Sequence, residues 1–242
     1  MPARLAREHD HPQARPGSAG AGRGGPDLTP APPEVWAPDV AGIASAAAAV
    51  REGKVIGVPT DTVYGVACSA TDLRAIEQLY SLKVRPQQQP LILMAATAAE
   101  IWGFAEPSPL AERLARQFWP GPLTLVLPSL PLGAALRGRG TLGVRIPATE
   151  VTLELLRRTG PLATTSANIH GQDPALDASS AARSLPRLSG VLAASSEASA
   201  SDRPSSILDL TREQPVLLRE GRLSARQLGV PVPGQEPGTR RD

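Results

Sequence analysis

From Asp39 onward the chain alternates two kinds of segment, and this alternation restricts its fold more than any other feature. Short apolar runs rich in β-branched residues recur: KVIGVP (54–59), PLILMA (90–95), LTLVLP (123–128) and TLGVRIP (141–147). Between them lie stretches with apolar residues at helical spacing and identifiable caps. Asp39 and Gly53 frame a helix through VAGIASAAAAVRE. Thr71 or Asp72 starts a second, TDLRAIEQLYSLK, with Leu73, Ile76, Leu79 and Tyr80 at helical spacing. Thr97 and Glu100 form a capping box for a third. Ser108-Pro109 opens a fourth, which Pro120 ends. EVTLELLRRTG closes on Gly160, and a further helix is expected near 177–186. PLATTS (161–166), GVLAA (190–194), SSILDL (205–210) and PVLLRE (215–220) bring the strands to about eight, and Ser224 caps a last helical turn. Strands and helices interleaved in this way predict an α/β fold. The adjacent strands at 205–210 and 215–219 read as a hairpin, so the sheet should be mixed.

The ends of the chain do not share this pattern. Residues 1–33 are dense in proline (2, 12, 16, 26, 30, 32, 33) and glycine (17, 20, 22, 24, 25), too poor in apolar surface to offset chain entropy. They are expected to be a disordered tail, with PVPGQEPGTRRD (231–242) a second and 34–230 one folded domain. A lone cysteine, Cys68, excludes an internal disulfide and reads as a small buried hydrophobe. Two of the three histidines, His9 and His11, lie in the first tail, which excludes a histidine-rich metal site. No apolar run approaches the roughly 20 residues that span a bilayer, and a cytoplasmic protein with no membrane contact is expected.

Ligands of α/β sheets bind where strand ends meet loops, so polar residues there deserve collection. PTDTVYG supplies Thr60, Asp61, Thr62 and Tyr64. The end of LYSLKVRP supplies Lys83 and Arg85, two cations of different chemistry in a chain whose only other lysine is Lys54. Thr141 and Arg145 sit in an otherwise apolar strand, TTSAN adds Thr164, Ser166 and Asn168, and the last hairpin adds Ser205, Ser206 and Arg219. Singly, each has a plain structural reading: the Thr and Asn residues as turn formers, the arginines as cross-sheet ion pairs, Lys83 and Arg85 as a solvated helix terminus. Ser166 lacks the G-x-S-x-G elbow of a hydrolase, and neither a Walker A loop nor G-x-G-x-x-G is present. Together, four cations and a set of hydroxyls with no histidine base describe a site for anions, working by positioning and charge stabilisation as in phosphoryl or nucleotidyl transfer.

In order along residues 40–222, GVPTDTVYGVACSATD, LKVRPQQQPLIL, WPGPLTLVLP, GVRIPA, TTSANIHGQ, SSILDL and LLREG resemble the successive signatures of the YrdC-like threonylcarbamoyl-adenylate synthases. Seven motifs in the family's order are a far more specific signal than any one. The resemblance implies a twisted mixed sheet with flanking helices around a positively charged cleft. It implies a catalytic domain that makes threonylcarbamoyl-AMP and pyrophosphate from L-threonine, bicarbonate and ATP, with Mg²⁺ expected beside ATP. The product would serve downstream proteins that transfer the threonylcarbamoyl group to tRNA. Carried over by motif, Lys83 and Arg85 are the catalytic phosphate grip, and Gln89, Thr141, Ser166, Asn168 and Arg219 complete the ATP side. Thr60, Thr62, Arg145, Thr164 and Ser205 match the threonine side, Thr164 and the S-x-N element lying between the two. Four positions depart from the family pattern: Met94 stands where a histidine is common, Pro174 where a small polar residue is, His170 replaces Ser, and Glu220 replaces the proline of LRPG. A pocket with one hydrogen-bond donor fewer discriminates less sharply among amino acids. Two other functions stay open at this level: a non-catalytic module that grips double-stranded RNA or tRNA, and a paralogue making a different carbamoyl-adenylate. Aromatic content of only 3% and the absence of a basic stripe outside the motifs count against the RNA module.

Overall fold

The structure, a computed structural model, describes residues 32–84, 86, 88–169, 173–195 and 203–230. Both expected tails lie outside the described residues, apart from positions 32 and 33, as do Arg85 and His170. Ten strands among the described residues form one mixed sheet: β1 Val35–Trp36, β2 Ile56–Val58, β3 Gly65–Ser69, β4 Ile92–Met94, β5 Leu123–Pro128, β6 Thr141–Arg145, β7 Leu162–Ser166, β8 Val191–Leu192, β9 Ser206–Asp209 and β10 Val216–Arg219. Their order across the sheet is β1-β8-β2-β3-β7-β4-β6-β5-β9-β10. Pairs β4–β6 and β5–β9 are parallel, while β3–β7, β4–β7 and β5–β6 are antiparallel. The hairpin expected at the end of the chain is β9–β10.

The expected strands are present, and two more, β1 and β3, were not anticipated. β3 is built of Gly, Val, Ala, Cys and Ser, so it lacks the β-branched signature and merges in sequence with the PTDT turn before it. Only its pairing on both edges, with β2 and with β7, makes it a strand. β1 is two residues long and exists through parallel pairing with β8.

The helices begin at the anticipated caps. In α1 (Val40–Arg51) the Asp39 carboxylate accepts from Gly42 N, and in α2 (Leu73–Leu82) Asp72 accepts from Arg74 N and Ala75 N. Thr97 and Glu100 form the capping box of α3 (Ala98–Trp102), and Ser108 caps α4 (Pro109–Phe118). Helices α5 (Glu150–Thr159), α6 (Ala178–Ser184) and α7 (Ala225–Leu228) follow. Of the apolar residues at helical spacing in α2, Ile76, Leu79 and Tyr80 are buried and Leu73, in the first turn, is exposed. α2 also ends earlier than Pro86 would require: Lys83 is its C-cap and Val84 has a left-handed backbone (φ 50°). No described helix is long and apolar enough to cross a membrane.

The two faces of the sheet are covered unequally. Leu93, Leu125, Leu127, Leu142, Val144 and Ala163 pack on one side with Ile76, Leu79, Ile101 and Leu114 from the helices. On the other side α1 and α5 pack over Ile56, Val58, Ala67, Met94 and Leu162, and their cover ends there. Cys68 belongs to the first cluster, and burial pushes its thiol up to about 12, the inert state expected of a packed cysteine.

Candidate active site

Where α1 and α5 stop covering the sheet, a cavity of about 430 Å³ remains. Its floor follows the two-residue period of strands: Ile92 and Met94 on β4, Thr124 and Val126 on β5, Thr141, Gly143 and Arg145 on β6, Thr164 and Ser166 on β7. On β4, β5 and β6 the intervening residues, Leu93, Leu125, Leu142 and Val144, belong to the opposite core, whereas on β7 Thr165 also reaches the cavity. A polar residue at alternate positions of an apolar run is therefore what marks the site in the sequence. Thr60, Thr62, Thr141, Arg145, Thr164, Ser166, Ser205 and Arg219, eight of the anticipated residues, line the cavity. Met94 and Pro174, two of the departures from the family pattern, line it as well.

Arg145 is 3% exposed, and its guanidinium is almost fully committed. Nε donates to the Gly121 carbonyl at 3.0 Å, Nη1 to Thr62 Oγ1 at 3.1 Å, and Nη2 to Asp61 Oδ1 at 2.6 Å. Burial lowers its pKa; Asp61 opposes that effect, while Arg219 and Arg222 add to it. Of the five N–H groups of a guanidinium, these three bonds leave one on each terminal nitrogen. The neighbouring hydroxyls are also oriented. Thr60 gives its proton to the Val63 carbonyl at 2.6 Å, so in the 2.9 Å contact between Thr60 and Thr62 the donor is Thr62. Thr60 Oγ1 also accepts from Thr62 N at 3.1 Å, which fills its capacity, while Thr62, accepting from Arg145, keeps one lone pair to accept with.

A second polar group lies at the Ser-Ala-Asn turn. Lys83 is 2% exposed, not the solvated helix end of its plain reading. Its Nζ donates to the Ser166 carbonyl and, at 3.2 Å, to Asn168 Oδ1; Thr165 Oγ1 and Ser166 Oγ lie at 3.4 and 3.5 Å. Ser166 Oγ donates to Asn168 Oδ1 at 2.6 Å. Lys83 and Asn168 thus stand directly behind Ser166, which lines the cavity. Gln89 contributes through its backbone, its carbonyl accepting from Tyr80 at 2.7 Å, and Pro90 beside it reaches the wall. Thr141 and Thr164 donate their protons to the carbonyls of Gly138 and Ile92 and, like Thr62, present acceptors.

Arg219, assigned by motif to the nucleotide, bonds to Ser205, an anticipated amino-acid contact: Nε donates to the Ser205 carbonyl at 3.0 Å and Nη2 to its Oγ at 3.1 Å. Ser205 also shares a 2.9 Å hydroxyl contact with Thr124, a buried cavity residue that the strand reading had passed over. Arg222 was likewise missed; its Nη1 donates to the Asp61 carbonyl at 2.6 Å. The turn that carries it is tight. Gly221 N and Leu223 N both donate to Ser206 Oγ, and a Cβ on Gly221 would sit 2.1 Å from the Pro204 carbonyl oxygen. Gly221→Ala must push the turn away from Ser205. Thermal unfolding should show Tm falling by about 5–10 °C, as for a loss of ~2–3 kcal/mol in a domain of this size.

Residues 48–221 match the Sua5/YciO/YrdC family profile, described as "Telomere recombination". A provisionally named threonylcarbamoyl-AMP synthase from Mycobacterium leprae is 39% identical over 193 residues, 77% of this chain and 86% of its own length. The threonylcarbamoyl-AMP synthase of Bacillus subtilis is 35% identical over 192 residues, 77% of this chain and 55% of that protein. The chain thus spans about half the length of the Bacillus relative and most of the Mycobacterium one. Sua5 of Pyrococcus abyssi, solved in complex with L-threonine, superposes with a TM-score of 0.74 at 34% identity, covering 81% of this chain and 59% of that one. With the motifs in family order along the chain and most of them meeting at one cavity, this match means that the chain belongs to the Sua5/YciO/YrdC family.

Proposed function

We propose that the chain is an L-threonylcarbamoyladenylate synthase, a nucleotidyltransferase that converts L-threonine, bicarbonate and ATP into threonylcarbamoyl-AMP and pyrophosphate. The observation that carries this reading is the division of hydrogen-bonding capacity around one cavity. On one side, Arg145 keeps one N–H on each terminal nitrogen beside Thr62, whose hydroxyl can only accept. Such a pair of surfaces suits an amino acid: the guanidinium takes the carboxylate and the hydroxyl oxygen takes an amine proton. On the other side, the buried ammonium of Lys83 donates to the Ser166 carbonyl and to Asn168 directly behind the cavity wall, where a cation can attract the phosphates of ATP. The names of the relatives and the L-threonine held by the Pyrococcus protein support the same assignment.

The threonine amine and bicarbonate give a carbamate and water. A carbamate oxygen then attacks the α-phosphorus of ATP, the bond from that phosphorus to the β-bridging oxygen breaks, and pyrophosphate leaves. Little covalent chemistry falls to the protein, whose task is alignment and charge stabilisation. Lys83 and Arg85 would meet the phosphates, with Ser166, Asn168, Thr141 and Gln89 around them. Thr60, Thr62, Arg145, Thr164 and Ser205 would hold threonine, and Arg219, bonded to Ser205, would join the two sides. Mg²⁺ would arrive with the substrate, its coordination drawn largely from the ATP phosphates. The product, a mixed anhydride, would pass to proteins that transfer the threonylcarbamoyl group to tRNA.

The test is incubation with ATP, labelled bicarbonate and one of a panel of amino acids. Pyrophosphate and labelled threonylcarbamoyl-AMP should form together and depend on L-threonine. Equal turnover with a different amino acid would identify a paralogue with another substrate. No turnover, together with salt-sensitive RNA binding, would mean a binding module.

A further inference from the structure

We propose that Asp61 is the positioning residue of the amino-acid pocket: its carboxylate fixes the rotation of the Arg145 guanidinium and so sets the affinity for the amino-acid carboxylate. This rests on the amino-acid reading of the Arg145 side and assigns a role to a residue outside the cavity wall.

Asp61 stands between two threonines that line the cavity. Its Oδ1 accepts from Arg145 Nη2 at 2.6 Å and from Ala148 N at 3.0 Å, two residues before α5. Its carbonyl accepts from Arg222 at 2.6 Å. The residue is thus tied to the approach to α5 and to the last turn of the domain, and it transmits that fixed position to Arg145. Side-chain exposures of 3% for Arg145 and 12% for Asp61 make this a buried ion pair. Such pairs contribute little net stability, because desolvation offsets the attraction. Asp61 Oδ2 is moreover buried without a hydrogen-bond partner, a further cost to the fold. What the pair does provide is orientation. A guanidinium that donates Nε to Gly121, Nη1 to Thr62 and Nη2 to Asp61 cannot turn in its plane, so its two unspent N–H groups keep fixed directions. Without the Asp61 charge, one of those three anchors weakens, and the repulsion of Arg219 and Arg222 acts on Arg145 uncompensated.

Asp61→Asn keeps the shape and an oxygen for Ala148 but removes the charge. In the pyrophosphate-release assay it should raise KM for L-threonine by roughly 10-fold or more, in line with loss of one partner of a buried charge pair, and leave KM for ATP within about 2-fold. The same substitution in an Arg145→Lys background should add less than about 3-fold, since the two act as one unit. An unchanged threonine KM in Asp61→Asn, with Arg145→Lys raising it, overturns the inference and leaves the amino-acid reading standing. An unchanged threonine KM in Arg145→Lys overturns the amino-acid reading itself. Equal rises in both KM values, or full additivity, mean a structural role only and also overturn the inference. Should the asparagine variant fail to fold, Asp61→Glu moves the charge out by one methylene. It should raise KM for threonine selectively; equal effects on the two substrates would count against positioning.

Discussion

Lys83→Ala should lower kcat/KM for ATP by at least about 100-fold, the effect of removing one charge-stabilising donor from a water-poor site. The ammonium is the largest fully buried side chain in the described structure, stripped of water and held by the Ser166 carbonyl and Asn168. Ser166, in contact with Nζ, opens onto the cavity where a phosphate oxygen would lie. Alanine would also leave a void and destabilise the packing. Lys83→Met separates the two effects by filling the same volume without charge, and it should lose activity as fully as alanine while unfolding closer to the parent temperature. Turnover of the methionine variant within about 3-fold of the parent would remove Lys83 from the phosphate site. Lys83→Arg should not restore activity, because a planar fork cannot replace a compact ammonium in the space between Ser166 and Asn168. The motif assigns the same loss to Arg85→Ala.

Much of this site was legible because strands expose alternate residues. Thr141 and Arg145 in TLGVR are polar at positions whose neighbours Leu142 and Val144 are core residues, so the pattern there names both the face and the site. Caps were legible for a local reason as well, since a side chain and the amide it meets lie within three residues. What escaped depends on contacts that no local pattern encodes. β3 is made of small residues and becomes a strand only through its two neighbours. Lys83 looks like a solvated helix end until the chain returns 85 residues later with Asn168. Arg222 meets Asp61 across 161 residues. Asp61 itself was noted as polar but given no part, because its partners Arg145 and Ala148 come 84 and 87 residues later in the chain.

Arg145→Ala is expected to raise KM for L-threonine by about 100-fold or more, the consequence of deleting both donors of a bidentate carboxylate contact. It carries a second, separable effect. Removing the guanidinium leaves the Asp61 carboxylate buried with only Ala148 N as a side-chain partner, and breaking a buried pair from one side costs about 3–5 kcal/mol. Thermal unfolding of the single variant should therefore fall by about 10 °C. The double variant Arg145→Ala/Asp61→Asn removes the stranded charge, so its Tm should recover most of that loss. Its threonine KM should not recover, because the carboxylate still has no fork to meet. Stability and binding would thus respond in opposite ways to the second substitution, which no uniform loss of folded protein can imitate. Recovery of threonine binding along with Tm would show that Arg145 serves only to neutralise Asp61, and the carboxylate contact would then have to come from Arg219, the other cation of the cavity wall.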